Sequence, residues 1–265
     1  MSSLRHGTSS MQHALSAPLP SERDALETPA RAPSLMRKYE AAALLPDLTV
    51  SFRQHVAPAT PLFEECASAF ARGTLIQTVR GPVAIEDLLP GDYIETANGA
   101  EPVTWIGSTT YVPGALTGRE DSTSSLTHLT RITSDAFGLG KPAFDLMVGP
   151  GARMVVRHDK LRNLLGQGRV LAPVQDYVDG DRFLEITPAG TVQMYHLMVR
   201  EHTTIEIGGV EMETYHPGKS IGQDLGQNMR ALFLSMFPNL TDLNDFGQVS
   251  LTRSTRKVIE QLLDS

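Results

Sequence analysis

The feature that most constrains how this chain can fold is a repeat. Ile85-Glu86-Asp87-Leu88-Leu89-Pro90-Gly91-Asp92-Tyr93-Ile94 and Val174-Gln175-Asp176-Tyr177-Val178-Asp179-Gly180-Asp181-Arg182-Phe183 share the order apolar-x-Asp-apolar-apolar-x-Gly-Asp-x-apolar without a gap. Each copy then runs through a β-prone stretch toward a glycine, Gly99 in the first and Gly190 in the second. Two copies of one turn-and-strand unit predict a compact β body made of two pseudo-symmetric halves.

The surrounding pattern agrees. Residues 74–78 and 83–85 flank the turn signal Arg80-Gly81-Pro82, and residues 93–96 and 103–106 flank Asn98-Gly99. That dipeptide predicts a type I′ turn with positive φ at both corners. Residues 182–187 and 192–199 flank Pro188-Ala189-Gly190, and residues 203–207 and 210–214 flank Gly208-Gly209. Short strands at regular turn spacing make the class mainly β. Upstream, Pro18, Pro20, Pro29 and Pro33 interrupt any helical period in residues 2–34, which predicts a flexible arm. The alanine run in residues 35–45 predicts a short helix, and residues 48–52 predict a strand. After His216-Pro217-Gly218, Leu225, Met229, Leu232, Phe233 and Met236 recur at helical spacing and stop before Pro238. Val258, Ile259, Leu262 and Leu263 predict a final short helix. The expected organisation is therefore an N-terminal arm, partly disordered, over residues 1–65, a β domain over 66–218 and a helical extension over 219–265. The Met and Phe stripe is expected to dock on the β body.

Composition removes several function classes. With 23 Lys and Arg against 30 Asp and Glu, the formal charge is −7, and no dense basic stretch offers a phosphate-tracking surface, so nucleic acid is not expected as a partner. Cys66 is the single cysteine, so no intramolecular disulfide is possible. No apolar run approaches the length of a membrane span and no hydrophobic signal core opens the chain. His196, His202 and His216 occur near strand ends but without cysteines or an HxxxH spacing, which points to structural histidines instead of a zinc site. Asp176, Asp179 and Asp181 lack the one-three-five oxygen spacing of a calcium loop and read as turn acids. No metal or other cofactor is expected.

An ordered set of residues resembles a known family. Ala69-Phe70-Ala71-Arg72-Gly73-Thr74-Leu75-Ile76, the turn at Gly81, Ile85-Glu86-Asp87-Leu88 with Gly91-Asp92, and Pro102-Val103-Thr104-Trp105-Ile106-Gly107 resemble the opening of bacterial Hint domains, the Hedgehog/intein self-processing superfamily. Asp145-Leu146-Met147-Val148-Gly149-Pro150 is similar to the family's central block. His196-Leu197, His202 and Tyr215-His216-Pro217-Gly218 are similar to its close. The resemblance spans roughly residues 66–218 and implies a compact β fold of two pseudo-symmetric halves. It also suggests a soluble protein of the bacterial cytoplasm, with export by a route lacking a cleaved signal left open.

The resemblance further implies self-cleavage, and the residues can be tested against that chemistry. The first step is an N-to-S or N-to-O acyl shift, in which a side-chain sulfur or oxygen attacks the carbonyl just upstream of its own amide through a five-membered ring. The matching position carries Ala69, whose methyl has no lone pair. A histidine that protonates the leaving nitrogen is worth about 10²- to 10⁴-fold. Its position, two residues after Pro150, carries Ala152, and His158 lies too far along the chain to replace it without a different loop. Where inteins end in a cyclising Asn after the last His, this chain has Pro217 after His216. Ala69, Ala152, His202 and His216 are thus expected to be vestigial positions. The expected function is a Hint-like protein inactive in self-cleavage that binds or scaffolds a protein partner. The alternative is autoprocessing with Cys66 or Ser68 as the nucleophile and His202 as proton donor. Cys66 lies beside Glu64 and Glu65, whose charge disfavours a thiolate, and is expected to be a quiet, partly buried thiol.

Overall fold

The structure, a computed structural model, describes residues 35–115, 122–218 and 225–264. The expected flexible arm at residues 2–34 lies outside them. Strands β1 (Met36–Leu44) and β2 (Val50–Pro58) lead into a one-turn helix α1 (Pro61–Glu64). There follow β3 (Phe70–Ala71), β4 (Leu75–Thr78), β5 (Gly81–Ala84), β6 (Tyr93–Thr96) and the long β7 (Gly99–Tyr111). The second half of the body holds β8 (Leu129–Ile132), β9 (Leu146–Val148), β10 (Arg153–Arg157), helix α2 (Asp159–Leu165), β11 (Arg169–Pro173), β12 (Phe183–Ile186), β13 (Val192–Val199), β14 (Thr204–Ile207) and β15 (Val210–Glu213). Helices α3 (Gln227–Ser235) and α4 (Arg256–Asp264) complete the chain. Among the described residues, eleven strands form one sheet in the order β12-β8-β9-β3-β13-β7-β6-β4-β5, with β1 joined to β7 and β2 to β1. Four more form a second sheet in the order β11-β10-β15-β14. The mainly β class is as expected.

The two copies of the repeated pattern follow the same local course. Residues Ile85–Asp87 and Val174–Tyr177 each form a 3-10 turn, and Gly91 and Gly180 then take φ of 101° and 78°. The chain continues into β6 in one copy and β12 in the other. The next strands, β7 and β13, lie side by side and antiparallel at the middle of the large sheet.

Three local expectations are corrected. Residues 35–45 do not form a helix: Met36–Leu44 is strand β1, paired with both β2 and β7. Arg37, Tyr39, Ala41 and Ala43 alternate inward, so a period of two was present in the sequence. Alanine's helix propensity is a weak preference that two flanking strands override. The strand expected at residues 48–52 begins at Val50 and runs on to Pro58. The turn between β6 and β7 is also not built on Asn98-Gly99, because Thr96 pairs with Gly99 and leaves Ala97 and Asn98 as the two loop residues. Gly99 opens the returning strand with φ of 104°, and the positive-φ non-glycine residues described are Leu48 and Asp135, not Asn98. The hairpin between β4 and β5 uses the same device. In each, a threonine hydroxyl donates to the carbonyl of the glycine three residues on, 2.6 Å for Thr78 to Gly81 and 2.8 Å for Thr96 to Gly99.

Two cores result. One lies within the β body and includes Phe70, Ile76, Ile94, Val103, Leu197, Ile205 and Met212. The other draws on three distant parts of the chain: Tyr39, Phe63 and Cys66 from upstream, Trp105 and Tyr215 from the body, and Phe233, Met236, Phe237 and Phe246 from the extension. Trp105 anchors it, stacking on Phe237 with ring centroids 4.4 Å apart and donating its indole N–H to the Met236 carbonyl at 2.7 Å. The Met and Phe stripe thus docks on the body, as its period predicts. Helix α4 buries Ile259 beside Leu161, Val170 and Ala172, and Asp176 accepts the Arg256 backbone N–H at 3.2 Å. No helix among the described residues is long and apolar enough to cross a membrane.

Candidate functional site

The Ser68–Ala69 peptide lies at the entrance to β3, fully buried. The Ala69 N–H donates to the Tyr195 carbonyl at 2.9 Å, and the Ala69 carbonyl accepts from Gly149 N–H at 3.0 Å. The Ser68 carbonyl, which an acyl shift would attack, accepts from Gly151 N–H at 3.3 Å. The central block therefore wraps the junction closely, and this explains its glycines. A Cβ at Gly149 would sit 2.3 Å from the Ser68 oxygen, and one at Gly151 would sit 2.2 Å from the Glu65 oxygen. Only hydrogen fits at either place. The segment ending in Ala152 lies against the junction through Gly149 and Gly151. The side chains of Ala69 and Ala152 are methyls, both buried in the body core.

The two alternative nucleophiles are in different states. Cys66 is fully buried, not partly, and its thiol donates to the Phe63 carbonyl at 3.1 Å. Burial, and after it the charge of Glu65, pushes the thiol far above its ordinary range, so the thiolate is suppressed. Glu64 is engaged elsewhere. It points away, accepting from Arg37 Nε at 2.9 Å, Ser124 Oγ at 2.6 Å and the backbone N–H groups of Ser125 and Leu126. Ser68 Oγ is buried without a hydrogen-bond partner.

The histidines gather around the closing strands. His196 is buried between the rings of Phe70 and Tyr215, with centroids 5.5 and 5.2 Å away, and its Nδ1 accepts from the Leu197 N–H. Burial lowers its pKa to about 3, so it is a neutral ring in a hydrophobic setting. His202 Nε2 lies 2.9 Å from Glu213 Oε1, and His216 Nε2 lies 3.2 Å from the Gly247 carbonyl. The His202 and His216 rings are 5.2 Å apart, yet each is already held by its own partners. Among the described residues no three His, Cys, Asp or Glu side chains are arranged to hold a metal ion. Asp179 is a turn acid as expected, its Oδ1 accepting three consecutive backbone N–H groups, those of Asp181, Arg182 and Phe183. His158 caps α2 through its Nδ1, far from a processing role.

Sequence reasoning missed the centre of this network, Glu213. It is fully buried and receives His202 at 2.9 Å, Arg253 Nε at 2.8 Å and Arg153 Nη1 at 3.6 Å. Burial works to raise its pKa, but the His202 hydrogen bond and the two guanidinium charges prevail and hold it at about 2. Arg153 also binds Glu65, and Arg253 also donates to the His216 carbonyl at 2.6 Å. One charged network thus joins the upstream segment, the body and the extension. An acid within an alternating strand gave no signal, because its partners lie 11, 40 and 60 positions away.

No curated protein matches this chain. The family described as Hint domain matches residues 68–219, beginning at the residue whose carbonyl the Gly151 N–H holds and ending just past His216-Pro217-Gly218. With more than half of its residues inside that match and a β body that frames the Ser68–Ala69 peptide, the chain belongs to the Hint domain family.

Proposed function

We propose that this Hint domain does not cut its own backbone and serves as a binding or scaffolding module for a protein partner. The observation that carries the reading is the methyl of Ala69 at the junction, where an acyl shift needs sulfur or oxygen. Gly151 N–H still polarises the Ser68 carbonyl, but no side chain of Ala69 can attack it and Ala152 cannot give the leaving nitrogen a proton. Members of such a unit act together, so losing the nucleophile removes most of what the others could add.

The packing of the flanks supports the same reading. In a self-cleaving protein the segment upstream of the junction is released. Here that segment supplies β1, which pairs with β7, and also Tyr39, Phe63 and Cys66 of the second core. A cut between Ser68 and Ala69 would leave both pieces held together by a sheet and an aromatic cluster. The flanks are built as permanent parts of the fold.

Intact-mass spectrometry of the purified chain, with and without hydroxylamine or added thiol, tests the proposal. One uncut species is expected. The competing reading, autoprocessing by Ser68 or Cys66, draws on the unpartnered Ser68 Oγ. A fragment pair that vanishes in Ser68→Ala or Cys66→Ala would establish it and overturn the inert reading.

A further inference from the structure

We propose that Ser250, His202 and Glu213 form an acyl-transfer site, with Ser250 the nucleophile toward small activated esters. This goes beyond the non-cleaving reading and does not depend on it. Ser250 Oγ lies 3.0 Å from His202 Nδ1, and His202 Nε2 lies 2.9 Å from Glu213 Oε1. A hydroxyl, an imidazole and a carboxylate in series give a weak oxygen nucleophile its base, and give the base an orienting anion. Ser250 is exposed, whereas His202 and Glu213 are buried. An ester can therefore reach the hydroxyl from solvent while the supporting pair stays fixed.

The hydrogen bonds settle the tautomer. The Ser250 backbone N–H also donates to His202 Nδ1, at 2.9 Å. A backbone N–H can only donate, so Nδ1 carries the lone pair and Nε2 the hydrogen that goes to Glu213. That is the tautomer a base facing Ser250 Oγ requires; the backbone N–H shares the single lone pair of Nδ1 and gives up this hydrogen bond when the hydroxyl proton transfers. Glu213 is kept ionised by Arg253 and Arg153, so it remains the acceptor throughout. The loop is pinned as well. Leu171 N–H donates to the Thr252 carbonyl and Ser254 N–H to the Leu171 carbonyl, each at 2.8 Å, just past Ser250. Such fixing removes part of the orientational cost of attack.

The step balances without any further group. Ser250 Oγ bonds to the acyl carbon while its proton passes to His202 Nδ1. The bond from that carbon to the alcohol oxygen then breaks, and the leaving alkoxide takes the proton from Nδ1. Water then attacks the acyl carbon while its proton passes to Nδ1, the bond from that carbon to Ser250 Oγ breaks, and Nδ1 returns the proton to Oγ, releasing a carboxylic acid. The sum is ester plus water to acid plus alcohol.

The test uses the full-length protein with 4-nitrophenyl acetate and, separately, a fluorophosphonate, followed by peptide mapping. An adduct on Ser250 is expected with each probe. It should disappear in Ser250→Ala, and its rate should fall by about 10²-fold or more in His202→Gln, the loss typical of removing a general base. Because His202 is buried and its variant could unfold, Ser250→Cys supplies a second readout. Iodoacetamide should alkylate this variant faster than a free small thiol of ordinary reactivity. Ester hydrolysis unchanged in Ser250→Ala, the absence of a Ser250 adduct, or an ordinary alkylation rate in Ser250→Cys would each overturn the assignment. None of these outcomes bears on whether the Ser68–Ala69 bond is cut, which the intact mass reads separately.

Discussion

The two ends of the Hint domain differ in how they handle polar chemistry. At the opening end Ala69 and Ala152 present buried methyl groups, and Ser68 Oγ is buried without a partner. At the closing end, His202, Glu213 and His216 remain, but residues 247–253 of the extension occupy their hydrogen-bonding groups. One end carries methyl groups at these positions, and the other carries heteroatoms that are engaged in hydrogen bonds. Hydrogen-bonded heteroatoms such as those of Ser250, His202 and Glu213 can still move a proton, and a methyl cannot. This contrast explains why the non-cleaving reading rests on the opening end and the acyl-transfer proposal on the closing end.

The contrast can be broken most directly at Glu213. Glu213→Ala leaves Arg153, Arg253 and His202 facing an empty site, and removing one member of a buried ionic network costs about 3–5 kcal/mol. Urea unfolding followed by tryptophan fluorescence reads it, since Trp105 is the single tryptophan and lies in the second core. A loss below about 1 kcal/mol would mean that the closing end is not held by this network.

The opening end should respond through packing instead of charge. Gly151→Ala forces a methyl to within 2.2 Å of the Glu65 oxygen, a backbone atom that cannot swing away. The expected cost is about 1–3 kcal/mol, the range for overpacking a tight site. Matching stability in Gly151→Ala and the parent would show that the central block does not clamp the junction.

Acid sharpens the distinction further. His216, whose burial lowers its pKa from 6.5 to about 4, and His196, lowered likewise to about 3, are neutral in the folded protein. In the unfolded chain they bind protons below about pH 6.5. Between pH 6.5 and 4 the unfolded state therefore holds more protons, and stability falls as pH drops through that window. Above pH 6.5 these two groups contribute no slope. Glu213, depressed from 4.5 to about 2, adds a further loss from pH 4.5 downward. His216→Phe should flatten part of the upper window when unfolding is measured as a function of pH, and an unchanged profile would exclude His216 as a contributor.

The smallest effect is expected at Cys66. Its buried thiol should resist iodoacetamide in the folded protein and react once urea unfolds the chain. Alkylation under native conditions at the rate of an exposed thiol would reopen it as a nucleophile.

Much of the body was legible in the sequence because its signals are local. The repeat at Ile85 and Val174 marks two 3-10 turns, and the Gly208-Gly209 pair, with φ of 59° and 88°, marks the turn between β14 and β15. Residues 36–44 misled because alanine's helix preference was weighed above an alternation that needs flanking strands to matter. Asn98-Gly99 misled because the pairing of Thr96 with Gly99 moves the turn one residue toward the N-terminus. That the side chains of Ala69 and Ala152 cannot act as nucleophile or proton donor could be read from residue identity alone, since a methyl lacks a lone pair wherever it lies.

The sequence by itself thus determined the mainly β class, the order of the turns and the methyl side chain at position 69, because each depends on residue types at short range. Only the tertiary structure decided that the upstream hairpin belongs to the central sheet, that both flanks share one aromatic core, and that Ser250, His202 and Glu213 meet. These contacts join residues far apart along the chain. Their energy comes from apolar burial and from charges removed from water, and neither leaves a local trace in the order of residues.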